Sequence, residues 1–127
     1  MSVKYKIVQK GEPGVVGGGT KKFYASLISS GNQGIEALTQ RIQQMSTVTG
    51  ADIRAVLYAI ADIVPELLSE GQIVTIGELG NFRLSVSSEG SDTEEEVTKA
   101  KIRKSRILFR PGSKFAEMLN SLEFEKS

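Results

Sequence analysis

The sequence predicts an α+β protein, and three stretches carry that expectation. Residues 35–69 hold two apolar periodicities of helical spacing. Gly71 to Val86 reads as strand, glycine turn and strand, with Phe82, Leu84 and Val86 alternating against Asn81, Arg83 and Ser85. Residues 99–110 then return as a strand rich in cations, ahead of a short helix. A chain of 127 residues has the size of one domain with an appendage.

Taken in order, Val3, Tyr5 and Ile7 alternate with lysines and predict a strand over 3–8. Residues 11–19 contain five glycines and a proline, which excludes regular structure. Residues 22–29 predict a second strand, so 1–33 reads as a glycine-rich β extension built on an extra N-terminal β-pair. Gly14 and Gly19 have the spacing of a phosphate-cradling loop. Thr20-Lys21 follows, however, where Lys and then Ser or Thr is required, and a strand rather than a helix comes next. A flexible connector is expected.

Ile35, Leu38, Ile42 and Met45 lie on one stripe of a first helix. Thr49 and Asp52 have the spacing of a capping box before a second helix over 51–69. Its apolar face is broad, running from Ile53, Val56 and Leu57 through Ile60 and Val64 to Leu67 and Leu68. Pro65 falls inside that pattern, so a kink or local break is expected there. Glu70-Gly71 reads as the stop. So wide a stripe is hard to cover in a monomer of this size, and dimerisation is the expected remedy. Residues 87–96 are polar and read as a solvated arm tip. Phe115, Met118, Leu119 and Leu122 have the spacing of a final helix, and 123–127 is expected to fray as a tail.

There are no cysteines and no histidines. Thiolate zinc sites, disulfide scaffolds and Ser-His-Asp triads are thereby excluded. No apolar run approaches a bilayer span, and the N-terminus lacks the pattern of a signal peptide. The expectation is a cytoplasmic, non-enzymatic chain with no cofactor, no metal, no membrane partner and no small-molecule substrate. Net charge is only +1, but it is distributed in blocks. Residues 1–34 carry +4, residues 89–96 carry −5, and residues 99–110 carry +6 with no acid among them. Phosphate attraction is local, screened within ~10 Å, so such blocks matter more than their sum.

The order helix, helix, hairpin, arm, basic strand, short helix has a family attached. From Leu38 to Leu122 the chain resembles the HU/IHF family of bacterial histone-like DNA-binding proteins. The resemblance rests on Gly71 closing the second helix, on Gly77-Glu-Leu-Gly-Asn-Phe82 at the hairpin turn, and on Phe109-Arg-Pro-Gly-Ser-Lys114 at the entry to the last helix. Glu78-Leu79 stands where the family has a single Phe. The N-terminal glycine-rich addition looks like the longer HU-related proteins of Bacteroidetes. The resemblance implies an HU-like domain over 34–122, with two N-terminal helices, an antiparallel sheet with an extended β-arm and a short C-terminal helix. It also implies an intertwined homodimer whose arms reach around the DNA minor groove, and a place in the nucleoid.

Candidate DNA contacts follow from the cations and from the resemblance together. They are Arg83 on the outgoing strand, Lys99, Lys101, Arg103, Lys104 and Arg106 on the return, and Arg110, Ser113 and Lys114 near the last helix. Lys4, Lys6, Lys21 and Lys22 form an additional set in the extension. Family arms carry an Arg-Asn-Pro tip whose proline wedges between base steps. Here no proline lies between Pro65 and Pro111, and the tip is acidic. The expected function is architectural, weakly sequence-selective binding of double-stranded DNA through phosphates and the minor groove. The alternative is an HU-fold dimer serving as a structural or protein-interaction module that has lost strong DNA binding.

Overall fold

The computed structural model describes residues 2–127. In chain order the elements are β1 (Ser2–Lys10), β2 (Lys22–Leu27), α1 (Ile35–Gln44), α2 (Gly50–Ser69), β3 (Val74–Ile76), β4 (Gly80–Ser88), β5 (Ile102–Pro111), α3 (Ser113–Asn120) and β6 (Glu123–Lys126). They fall into two units. One comprises the residues up to Gln33 together with Met118–Ser127, and the other is Gly34–Glu117.

The first unit is a single three-stranded sheet of order β2-β1-β6. β1 and β2 pair antiparallel, with Tyr5 opposite Leu27 and Lys10 opposite Lys22. The glycine loop between them closes through the Glu12 amide on the Gly18 carbonyl. Gly17 and Gly18 sit at φ of 79° and 84°, in the region that glycine enters without steric cost. Residues 123–126, expected to fray, instead form β6 and lie parallel to β1, with Val3 beside Phe124. The ladder pairs the backbone groups of this edge strand that face β1, and the Ser127 amide extends it by donating to the Tyr5 carbonyl at 2.9 Å. β2 ends at Leu27, short of the expected residue 29, and Leu122 lies beyond the end of α3.

In the second unit Thr39 is the most buried side chain of α1, at 1% exposure. Its hydroxyl donates to the Ile35 carbonyl at 2.7 Å, which satisfies the polar group inside its own helix. Thr49 caps α2, accepting from the Asp52 amide at 3.3 Å. α2 then runs unbroken through Pro65, so of the expected kink or local break the break is absent. Proline there forfeits only the bond to the Ala61 carbonyl, and Leu67 and Leu68 beyond it continue the inward stripe. The helix stops in a Schellman motif. The Gly71 amide donates to Leu68 and the Gln72 amide to Leu67, with Gly71 left-handed at φ 82°.

β3, β4 and β5 form an antiparallel sheet in that order. The β3–β4 turn also holds the entry to α3. The Gly112 amide donates to the Leu79 carbonyl at 2.9 Å, and the Lys114 amide reaches the Glu78 carbonyl at 3.4 Å. A Cβ on Gly80, whose φ is 144°, would collide with the Arg110 carbonyl and come within 2.9 Å of the Phe109 ring. A Cβ on Gly112 would collide with the Glu78 carbonyl. These two glycines let the turn and the end of β5 touch.

Phe82 packs against Phe109 with centroids 4.9 Å apart and the rings tilted by 43°, and Phe109 meets Phe115 edge-on at 5.7 Å. Phe82 is thus a packing residue. Yet among the described residues only Ile53 and Leu68 are buried apolar side chains. An open apolar groove of about 420 Å³ runs between α2, at Val64, Pro65 and Leu68, and the sheet, at Phe82, Leu84 and Ile107.

Candidate nucleic-acid interface

The register of β4 on β5 sorts the candidate residues by side. Phe82 faces Phe109, and Leu84 faces Ile107, on the side that lines the groove. Alternation then puts the intervening pairs on the other side: Asn81 with Arg110, Arg83 with Leu108, Ser85 with Arg106, and Ser87 with Lys104. Arg83, Lys104, Arg106 and Arg110 therefore share one face with no acid among the paired residues. Along β5, Lys104 and Arg106 stand roughly 7 Å apart, two residues of an extended strand, and Arg110 lies roughly 13 Å beyond Arg106 with Leu108 between them.

Arg83 is half-buried in this row, and its Nη2 donates to the Asn81 side-chain oxygen at 3.3 Å. Its Nε is enclosed and finds no partner among the described residues. Lys104, Arg106 and Arg110 are exposed. Guanidinium forks pair with phosphate oxygens in bidentate fashion, and serine hydroxyls and amides add neutral contacts. Asn81, Ser85 and Ser87 belong to the face and were not among the sequence-derived candidates. The period-two alternation that placed Arg83 was the signal that also held them. Leu108, 43% exposed, sits among the cations, and nothing in the structure explains it.

The other candidates do not join that row. The register slips between Ser87 and Ser88, so that Ser87 pairs with Lys104 and Ser88 with Ile102. Arg103 is the extra residue of this bulge, and it forms an ion pair with Glu89. The +6 segment is therefore partly compensated. The return strand starts at Ile102 rather than at 99, and Lys99 and Lys101 lie instead in a one-turn 3₁₀ segment closing the arm. The Glu89 amide donates to the Lys101 carbonyl at 2.9 Å. Glu94–Glu96 form another such turn, with all three acids exposed. Ser113 and Lys114 open α3, and Lys114 Nζ lies 3.8 Å from the Glu78 carboxylate.

Lys4, Lys6, Lys21 and Lys22 belong to the first unit. Lys4 and Lys6 project from β1 on the side away from Val3, Tyr5 and Ile7, and Lys4 has Glu125 of β6 as its neighbour. Lys22 is ion-paired with Glu12 at 3.4 Å.

A helical pair followed by a three-stranded antiparallel sheet with a long cationic hairpin defines an HU-like α+β protein. The chain belongs to the HU-HIG family, described as an HU domain fused to wHTH, Ig, or Glycine-rich motif, which it matches over residues 1–126. Two solved structures share the fold. One is a Bacteroides vulgatus protein described as a "Putative bacterial DNA binding protein", 14% identical, with a TM-score of 0.61 over 97% of this chain. The match spans 47% of that protein, about half its length. The other is HU of Anabaena in a cocrystal with DNA, 19% identical, with a TM-score of 0.53 over 69% of this chain and 98% of that one. No curated protein matches the chain. None of the described helices is long and apolar enough to cross a membrane.

Proposed function

We propose that this chain is a non-enzymatic, weakly sequence-selective binder of double-stranded DNA, acting as an architectural protein of the nucleoid in the cytoplasm. The observation that carries this reading is the acid-free row of Arg83, Lys104, Arg106 and Arg110 on one face of β4 and β5. A ribbon of that width tracks phosphates along the minor groove, and its affinity comes from counterion release and duplex deformability rather than from base edges. Lys99 and Lys101 extend the contact along the arm, Arg103 joins it only when a phosphate displaces Glu89, and Ser113 and Lys114 add to it at the start of α3. Lys4, Lys6, Lys21 and Lys22 supply a second phosphate-tracking surface on the extension. Membership of the HU-HIG family supports the reading.

The working form is an intertwined homodimer. Two chains contribute helices to a base, two sheets form a saddle, and two arms flank the duplex. Leu84 and Ile107, 44% and 55% exposed beside the apolar groove, support this, because a second chain seated there would complete a core that one chain leaves open. Mobility shift with a random duplex, repeated over a salt series, tests the reading. Binding that weakens steeply with salt is expected, and it should disappear in a Lys104→Ala, Arg106→Ala, Arg110→Ala chain whose dimer survives. Absence of any shift at low salt would sink it.

One observation favours a second reading. The tip carries five acids over 89–96, and one of them neutralises Arg103. A dimer that kept the fold for protein interaction would bind its partner equally well after the triple substitution.

A further inference from the structure

The sheet of the first unit has two unlike faces. Lys4, Lys6 and Lys10 of β1 project to one side, with Lys22, Glu123 and Glu125 beside them by register and the half-buried Val8 and Tyr24 among them. The other side holds Val3, Tyr5, Ile7, Phe23, Leu27 and Phe124, and its charge is confined to Lys126 at the margin. This apolar side is open. Phe23 is 72% exposed, Leu27 62%, Phe124 57% and Ile7 50%. One sheet of three short strands, holding a parallel pair, is marginal in water unless its apolar face is packed against a further layer.

We infer that a second copy of the same sheet covers this face, the two stacking as a small sandwich. Charge supports that occupant. Stacking brings together surfaces free of acids and of all cations but a marginal lysine, and it keeps both lysine faces in water. Shape supports it too, since two sheets of like width and like twist pack aligned, about 10 Å apart, by interleaving side chains. Area sets the terms. The two phenylalanines, Ile7 and Leu27 together expose on the order of 400 Å² per chain, so the contact buries roughly 800 Å² in all, below the ~1,200 Å² of a stand-alone complex. It therefore joins chains that another interface or a shared scaffold already holds near each other, where effective concentration makes up the difference. This surface belongs to the first unit and the groove along α2 to the second. The inference does not depend on DNA binding.

The absence of cysteine gives a direct test. In the full chain without DNA, Ile7→Cys and Lys6→Cys place single thiols on the apolar and lysine faces of the same strand, for reaction with a short bis-maleimide. Linked pairs of chains are expected with Ile7→Cys on the order of tenfold faster than with Lys6→Cys. Adding Phe23→Asp or Leu27→Lys to Ile7→Cys should lower that rate to the Lys6→Cys level. Both added changes fall on exposed side chains, and circular dichroism checks that the sheet persists in each. Four results would each overturn the inference. Equal rates for the two thiols, or a rate insensitive to both added charges, would mean random collision. An Ile7→Cys thiol that no maleimide labels even when Phe23→Asp is added would mean that the chain itself covers the face. An Ile7→Cys thiol that is freely labelled but never links would leave the face to a foreign partner.

Discussion

Glu89, just past the end of β4, and Arg103 in the bulge of β5 form an ion pair across the arm. Arg103 is well exposed and Glu89 partly so, and such a pair contributes little to stability, roughly 0–1 kcal/mol. Its effect falls on binding, because an arginine held by a carboxylate is not free for a phosphate. Glu89→Gln should raise DNA affinity several-fold at low salt and steepen the salt dependence by close to one phosphate contact, about 0.9 in the logarithmic slope. Fluorescence anisotropy of a labelled duplex over a salt series measures both. Unchanged affinity would mean that Arg103 never reaches the backbone.

Sidedness makes a second expectation. Arg106 and Arg110 lie in the acid-free row, whereas Lys99 sits in the turn that closes the arm. Arg106→Ala and Arg110→Ala should each flatten the salt slope by about 0.9, and Lys99→Ala should change it less. Equal effects from all three would argue for a diffuse charge attraction with no defined face.

Gly80 combines a left-handed backbone with the carbonyl of Arg110 at its back. Gly80→Ala must relieve both the strained φ and the collision. A loss of roughly 1–3 kcal/mol is expected, read as a drop in melting temperature of several degrees. Gly34→Ala, which meets no neighbour and has no left-handed backbone, is the control and should be close to neutral.

Leu84 borders the apolar groove and is nearly half exposed. A charge there costs one folded chain little but cannot be buried under a second chain. Leu84→Asp should therefore halve the mass seen by sedimentation equilibrium. A mass unaltered by Leu84→Asp would move the dimer contact elsewhere.

Hydrogen exchange separates a strand from a fraying tail at the C-terminus. The amides of β6 and of Ser127 should exchange slowly, and removal of residues 123–127 should speed exchange along β1. Rapid exchange of residues 123–127 in the intact chain would contradict the ladder.

Much of this was legible in the sequence. The glycines at 71, 77 and 80 mark the helix stop and hairpin, because each takes a backbone angle that other residues avoid. The two-residue alternation in Phe82–Val86 already separated the packing side from the polar side. What stayed hidden depends on pairing across distance. Glu-Phe-Glu-Lys at 123–126 has a single apolar residue and becomes a strand only because Ser2–Tyr5, from the opposite end of the chain, lies beside it. The union of Glu89 with Arg103 depends on where the arm folds back, which local spacing does not encode. Pro65 misled for a related reason. Its local cost is real, but it falls near the end of a helix whose last turn is capped and packed.

The bulge at Ser87/Ser88 divides the hairpin into a constrained part and a permissive one. Between Lys104 and Arg110 a one-residue insertion would exchange Arg106 with Ile107 across the sheet, sending cations into the groove and isoleucine to the polar face. Beyond the bulge no such parity binds the chain. Residues can be gained or lost at the tip without turning any side chain of the cationic row, so length and charge there are free to vary while the row is inherited unchanged.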